Sequence, residues 1–473
     1  MRVLLIYPDI TYEEYRSADQ WTGKFYSGVA YLSAALKKAG HECRLYHVTQ
    51  DVPDDRFLER VAALGPFDLA GFSFTTQMYR FVSRYSRLLR EAYPQSLQIC
   101  GGVFTTLNPG RVLDELPVDF ACRGDGELPI VSLCDALTQG RSLDEVPNIW
   151  FKRDGAVVEK PFSKLELDLD DVPFPDRSIF DFPNLEYESK GITTLMAGRG
   201  CPYGCAYCSN NFLKRLYQAG KNFIRYRSPE NVIAEAVHIR DTYPFIKELF
   251  FSDDILPLNM PWFKKFSSLY SEQVGMPYSC AIYPRLINAE VLGLLKQSGC
   301  KVLNVGIESG NEEIRKNVLR RNLSDAQMKT AMDLCNEFGV SLLTFNMFGL
   351  PGETLQNMME TVDLNAYAFR NSEKILAAAS IFYPYQQTEL GDYCDSTGLI
   401  ESRENSLNSH FQDSILKVSE SQRQTILSVQ RNFLDLVRES IKSGPLAPRG
   451  EEAILALLAE LDAAQSRPKQ SAA

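Results

Sequence analysis

No apolar run in the 473-residue sequence reaches the ~18 residues that a membrane-spanning helix needs. The opening stretch Met-Arg-Val-Leu-Leu-Ile-Tyr-Pro-Asp is too short an apolar segment for a signal peptide and reads as a strand. No basic tract offsets the formal net charge of −10, which argues against nucleic acid as the main partner; Arg225 and Arg227 are only a local basic patch. What is present is ordinary for a globular protein, 45% hydrophobic and 23% charged, with a length that suits about two to three domains. The eleven cysteines are an odd number, and eight are scattered: Cys43, Cys100, Cys122, Cys134, Cys280, Cys300, Cys335 and Cys394. Most lie in apolar segments, where a reduced buried thiol is expected. The pattern suits a cytoplasmic protein in a reducing compartment.

The other three, Cys201, Cys205 and Cys208, fall within eight residues in Gly-Arg-Gly-Cys-Pro-Tyr-Gly-Cys-Ala-Tyr-Cys-Ser. A 4Fe–4S cube is usually held by a thiolate at each iron. Three local thiolates without an obvious fourth point to one iron left open, the general mark of a catalytic metal site. Gly198, Gly200 and Gly204 let the backbone bend around a bulky inorganic core. A zinc knuckle or three buried thiols are the alternatives on the residues alone. Zinc would need a fourth ligand at short spacing, and the next His and Cys are His238 and Cys280.

This run resembles the cluster loop of the radical S-adenosylmethionine (SAM) enzymes. The resemblance implies that the open iron binds the amino and carboxylate groups of SAM. One electron then cleaves SAM to methionine and a 5′-deoxyadenosyl radical, with Tyr207 near the adenine.

Ahead of the cysteines, residues 1–140 alternate strand and helix: strands at Val3–Tyr7, Cys43–Val48, Leu69–Phe74, Leu97–Cys100 and Val118–Cys122, helices at Gly28–Ala39, Phe57–Leu64, Phe81–Tyr93 and Leu128–Leu137. Alternation of this kind implies a doubly wound, flavodoxin-like parallel sheet that binds ligands beyond its strands' carboxyl ends. The loops there, Pro8–Ser27, Ser73–Gln77, Gly101–Asn108 and Arg123–Glu127, are rich in Gly, Ser, Thr and Asn. They resemble the cobalamin-binding domain found in front of many radical SAM enzymes, through Gly71-Phe-Ser-Phe-Thr-Thr76, Cys100-Gly-Gly-Val-Phe-Thr-Thr106 and Arg123-Gly-Asp-Gly-Glu127. On that resemblance, cobalamin contacts fall to Ser73, Thr75, Thr76, Gly101, Gly102, Gly124, Gly126 and Glu127. The usual Asp-x-His-x-x-Gly is missing, because Asp9 is followed by Ile10 and Thr11. Any cobalt is therefore expected to lack a histidine lower ligand, with His41 and His47 structural; a degenerate domain without cobalamin is also open.

A linker is expected over 141–189, with Trp150–Asp181 a connector that includes the extended Val172-Pro-Phe-Pro-Asp-Arg177. Residues 190–385 then repeat strand and helix and resemble the partial (β/α)6 barrel of radical SAM enzymes. Barrel chemistry sits at the strands' carboxyl ends. There the resemblance assigns SAM contacts to Asp253, Asp254, Arg285, Glu308, Gly349 and Gly352. Capping, a structural salt bridge and an ordinary turn are the plain alternatives. The family's Pro-Gly before Thr-Glu-Leu is replaced by Gln386-Gln387, a departure that either reshapes the substrate edge or is only a different turn. Residues 386–473 read as a small helical cap covering the barrel mouth, with Thr425–Ile441 periodic and Ser466–Ala473 a polar tail.

The resemblance implies a cobalamin-dependent radical SAM enzyme, of the class that most often methylates an unactivated carbon of a small molecule, lipid or peptide. Cyclisation or ring rearrangement without methyl transfer is the alternative. A non-catalytic corrinoid or metal sensor is a different class, and RNA modification lacks the basic module it usually brings. A flavodoxin or ferredoxin is expected as electron donor. The sequence does not identify the substrate.

Overall fold

The structure is a computed structural model that describes residues 1–10, 21–163, 168–217, 223–401 and 413–465. The tail Ser466–Ala473 and Thr11 lie outside the described residues. The chain divides into two compact units, Met1–Arg199 with Leu213–Phe250, and Gly200–Phe212 with Phe251–Ala473.

The first unit is built on β1 (Arg2–Pro8), α1 (Ser27–Lys38), β2 (Glu42–Val48), α2 (Asp54–Ala63), β3 (Leu69–Ser73), α3 (Tyr79–Ala92), β4 (Leu97–Gly101), α4 (Gly102–Leu107), α5 (Pro109–Glu115), β5 (Phe120–Cys122) and α6 (Glu127–Gln139). Its sheet has the order β2-β1-β3-β4-β5 and is parallel throughout that stretch, so the direction of winding reverses beside β1. Val3–Tyr7 is buried along its whole length, as a strand covered by helices on both faces must be. This is the expected flavodoxin-like arrangement. The stretch after it differs from a plain connector. Ile149–Arg153 (β6) and Ala156–Val158 (β7) form a hairpin that continues the sheet antiparallel beyond β5. Asn148 and Asp154, both at positive φ, turn the chain there.

The unit also contains β8 (Ile192–Leu195), β9 (Gly198–Arg199), the second half of α7 (Ser209–Leu216), β10 (Arg225–Tyr226), α8 (Pro229–Thr242) and β11 (Glu248–Phe251), whose last residue opens the second unit. β9 and β10 pair antiparallel. Beside them lies a buried ion triad. Arg177 Nη2 is 2.7 Å from Glu235 Oε1, and Arg227 Nη1 contacts the other oxygen, with all three side chains no more than 5% exposed. The same guanidiniums donate to the carbonyls of Thr194 and Met196, fixing the strand that leads to β9.

The second unit alternates α9 (Met260–Gln273), β12 (Tyr278–Ile282), α10 (Ala289–Gln297), β13 (Cys300–Glu308), α11 (Asp325–Phe338), β14 (Ser341–Phe348), α12 (Leu355–Phe369) and β15 (Ala377–Ile381). β12 to β15 are parallel neighbours in chain order. With β8 and β11, six strands alternate with helices along 192–381, the count the resemblance implies. α9 has no counterpart among the elements expected from sequence. Pro261 occupies its first turn, where the missing N–H has no helical partner to lose, and Asn259 caps the helix by accepting from the Trp262 N–H.

The C-terminal region forms α13 (Glu389–Ser396), α14 (Glu420–Arg431), α15 (Phe433–Ser443) and α16 (Glu451–Gln465). The periodic stretch Thr425–Ile441 is two helices, because Asn432 leaves helical geometry at φ −92°, ψ 10°. α14 to α16 bury Ile426, Val429, Phe433, Val437 and Leu458 against α12, Phe348 and Ile381. They cover the flank of β14 and β15, where an open edge strand needs protection. α13 and the bridge Ile400–Leu416 are different: they pack with Ala206 of the cysteine loop, Leu350 and Phe382. No helix among the described residues is long and apolar enough to cross a membrane.

Candidate functional site

In the first unit, the carboxyl ends of β3, β4 and β5 open on a cavity of about 340 Å³. Ser73, Gly101, Gly102, Gly124, Gly126 and Glu127 line it; Thr75 and Thr76 are not among its lining residues. The cavity exists because glycine occupies its walls. Gly102 has φ +86°, and a Cβ there would stand 2.7 Å from the backbone N and O of Phe74. Gly124 has φ +78°, and a Cβ there would stand equally close, 2.7 Å, to the Tyr217 hydroxyl. That hydroxyl accepts from the Asp125 N–H at 3.0 Å.

The charges around the cavity cancel. Arg199 Nη2 is 2.6 Å from Glu127, Arg199 Nη1 is 3.1 Å from Asp125, and Arg225 is 2.6 Å from Asp125. Burial pushes the Asp125 carboxyl up, but Arg199 and Arg225 together hold it below the usual carboxylate range. Glu127, expected as a ligand contact, is thus committed to Arg199 while still lining the cavity. No histidine is among the lining residues. His47 Nε2 instead lies 3.2 Å from the buried Asp9, whose carboxylate also accepts from the Lys24 N–H, and His41 lies 3.2 Å from Asp135.

In the second unit, the three cysteines are free thiols on a loop held at its centre. The Ala206 N–H donates to the Leu319 carbonyl at 3.0 Å, and the Ala206 carbonyl accepts from Leu390 N–H at 2.8 Å. Tyr203 stacks on Tyr283 with centroids 3.6 Å apart. Cys205 is buried; Cys201 and Cys208 are half-buried, and burial pushes their thiols up to about 12 and about 11. Metal binding to such thiols must therefore release protons. Among the described residues, no three His, Cys, Asp or Glu side chains converge tightly enough to share one ion.

Around this loop stand Tyr207, Glu308 and Arg321. The Tyr207 hydroxyl donates to Glu308 Oε1 at 3.0 Å and accepts from Arg321 Nη1 at 3.2 Å. Glu308 ends β13 at φ 68°, a left-handed conformation that a non-glycine residue holds only under constraint, and burial raises its carboxyl. Asp253 is buried, whereas Asp254 is exposed and accepts from Asn210 at 2.8 Å. Arg285 is exposed and donates to the Asn322 carbonyl. The guanidinium brought to the cysteines is that of Arg321. Gly349 and Gly352, at φ +77° and +76°, form the turn after β14. Glu353, absent from the candidates that sequence suggests, accepts from the Gly349 and Leu350 N–H groups at 2.7 and 3.1 Å, and burial pushes its carboxyl up to about 8. Its place inside Gly-Leu-Pro-Gly-Glu is the signal that could have found it. Gln387 adopts φ 64°, so the departure from Pro-Gly keeps the left-handed turn that glycine favours.

A model of the radical SAM superfamily matches residues 195–364, and a model of the B12 binding domain matches residues 26–133. The chain is a radical SAM protein with a B12-binding domain. An uncharacterized methyltransferase of Pyrococcus horikoshii is 27% identical over 382 residues, 79% of this chain and 79% of that protein. An anaerobic magnesium-protoporphyrin IX monomethyl ester cyclase of Rubrivivax gelatinosus is 26% identical over 376 residues, 76% of this chain and 65% of that protein. The solved structure of the radical SAM methyltransferase TsrM from Kitasatospora setae, with cobalamin and a [4Fe-4S] cluster bound, superposes with a TM-score of 0.65 at 19% identity, over 85% of this chain and 76% of that one. At that identity the likeness is one of fold.

For this B12-binding radical SAM protein, the glycine cavity supplies a direct prediction. Gly102→Val should close it, since the added side chain meets Phe74 backbone at a forbidden φ. Cobalamin retained after gel filtration should fall by at least about tenfold, the equivalent of about 1.4 kcal/mol of binding energy. Iron loading of the cysteine loop should be unchanged.

Proposed function

We propose that the protein is a cobalamin-dependent radical SAM enzyme that methylates an unactivated carbon of a small molecule, lipid or peptide. The observation that carries this reading is the three-cysteine loop whose central segment is pinned beside Tyr207, Glu308 and Arg321. Cys201, Cys205 and Cys208 would hold a 4Fe–4S cluster. Tyr207, Asp253, Glu308 and the Gly349–Gly352 turn would orient SAM, with Asp254 and Arg285 at its more exposed side. The neutral, glycine-walled cavity would take part of a corrinoid, with no histidine offered to cobalt. When bound, the cluster with SAM supplies a hydrogen-abstracting radical and cobalamin a transferable methyl group. The chain's own work is to orient these groups and to exclude water around them. A low-potential flavodoxin or ferredoxin would supply the electron, and a secondary-metabolite substrate is favoured over nucleic acid by the acidic net charge.

The likeness to a cyclase supports a second reading, radical cyclisation without methyl transfer. Full-length protein, reconstituted anaerobically with iron, sulfide and hydroxocobalamin, should release both 5′-deoxyadenosine and S-adenosylhomocysteine from SAM under reduction. Release of 5′-deoxyadenosine alone would favour the cyclase reading. Release of neither would sink both.

A further inference from the structure

Arg321 is a cation 5% exposed to solvent. Its hydrogen bonds run to a sulfur, a phenol and a carbonyl. Nη1 lies 3.7 Å from Cys205 Sγ and 3.2 Å from the Tyr207 hydroxyl, and Nη2 lies 2.7 Å from the Gly306 carbonyl. Its guanidinium carbon is 4.8 Å from the Tyr283 ring centre, and its Nε is buried with no partner. No carboxylate oxygen is recorded within ion-pair distance of it among the described residues; Glu308 acts on it electrostatically, with the Tyr207 hydroxyl between them. A buried cation without a contacting anion is costly, and an anion placed beside it would offset that cost.

The local backbone is built to aim this side chain inward. After β13 the chain makes a π-turn at Ile314–Val318, then Arg320 takes φ 52°. The fully buried Arg315 staples the loop, donating to the carbonyls of Leu323 and Ser309 and pairing with Asp325. The Arg321 N–H closes on the Arg315 carbonyl at 2.7 Å. Neighbouring Arg320 points out and pairs with Glu389. Two adjacent arginines thus have opposite fates, and only Arg321 is buried at the cysteine loop.

We propose that Arg321 is a positioning residue that serves as built-in countercharge to an anionic iron–sulfur cluster, through an N–H···S bond to Cys205, and thereby makes that cluster easier to reduce. The inference rests on the cluster reading proposed above. A 4Fe–4S core carries a charge of 2+ when oxidised and 1+ when reduced, and thiolate ligation makes the assembly anionic. One electron, from a low-potential flavodoxin, ferredoxin or dithionite, adds one negative charge; no bond changes and no proton moves. A fixed cation at the ligand sulfur favours the reduced state, because cluster potentials follow net charge and hydrogen bonds to sulfur.

The test is an EPR-monitored redox titration of the reconstituted full-length protein without SAM, alongside iron and sulfide analysis. Arg321→Gln should load iron and sulfide as the parent does, yet show about tenfold less reduced cluster at a fixed potential, a shift of about 59 mV for a one-electron couple. Arg321→Lys keeps the charge and should stay near the parent. Tyr207→Phe removes the hydroxyl and leaves the Cys205 contact, so its potential should not move. An unchanged potential in loaded Arg321→Gln overturns the inference, as does an equal shift in the Gln and Lys variants. If Arg321→Gln does not load, the Lys variant decides: it must load and titrate near the parent. A parent protein that assembles no cluster instead overturns the cluster reading itself.

Discussion

Cys205→Ala is expected to leave the fold in place and remove the cluster. Iron and sulfide after anaerobic reconstitution should fall to background, and 5′-deoxyadenosine formation from SAM should drop by roughly 10³-fold or more, as when one member of an interdependent catalytic set is deleted. The loop is not held by its thiols. Ala206 is fixed through both its N–H and its carbonyl, and it packs with Leu319, Leu350 and Phe382. Circular dichroism and the unfolding midpoint should therefore change little while the metal is lost. Cys201→Ala and Cys208→Ala should behave alike. Cys43→Ala, at a buried scattered thiol of the first unit, should load normally. A Cys205→Ala protein that still binds four irons and cleaves SAM would remove the basis of the proposed function.

Glu235→Gln should strongly destabilise the first unit. Glu235 is fully buried between Arg177 and Arg227, which are themselves 2% and 5% exposed. Neutralising it strands two buried guanidiniums with no anion between them. Removing one partner from a buried pair typically costs about 3–5 kcal/mol, because the remaining charge is left uncompensated. The first transition in a urea titration should move to lower denaturant by that free energy divided by the slope m. Cobalamin retention should fall with it, since the triad holds the Thr194 and Met196 carbonyls just ahead of Arg199, which lines the cavity. As a comparison, Arg370→Gln breaks an ion pair between side chains 35% and 48% exposed and should change stability by no more than about 1 kcal/mol. Equal effects from the two substitutions would show that burial of the triad contributes nothing.

What can be read along the chain is local chemistry. Cys201, Cys205 and Cys208 lie within a few residues, so their grouping needs no folding to be seen. The glycines at the ends of β4 and β5 are legible for a similar reason: the strand-then-glycine pattern marks where a doubly wound sheet ends. The strands and most helices follow from apolar periodicity and their caps. The misses share the opposite property. α9 is hidden because Pro261 breaks a helix interior but suits its first turn, and only the position of the start separates the two. The hairpin β6–β7 reads as a connector because its pairing partner, Phe120–Cys122, lies about thirty residues earlier.

Residue type and spacing alone therefore determined the thiol loop and the alternation of strand and helix, and resemblance to known motifs supplied the two kinds of domain. Tertiary structure alone decided which charges meet. Arg321 is 114 residues from Tyr207, and Arg199 is 72 residues from Glu127, yet both pairs are in contact. Arg285 and Arg321 are the same residue type, but one is exposed and the other is buried against Cys205. Sequence cannot rank them, because the energy of a charge depends on its desolvation and its neighbours, and both are properties of the folded packing.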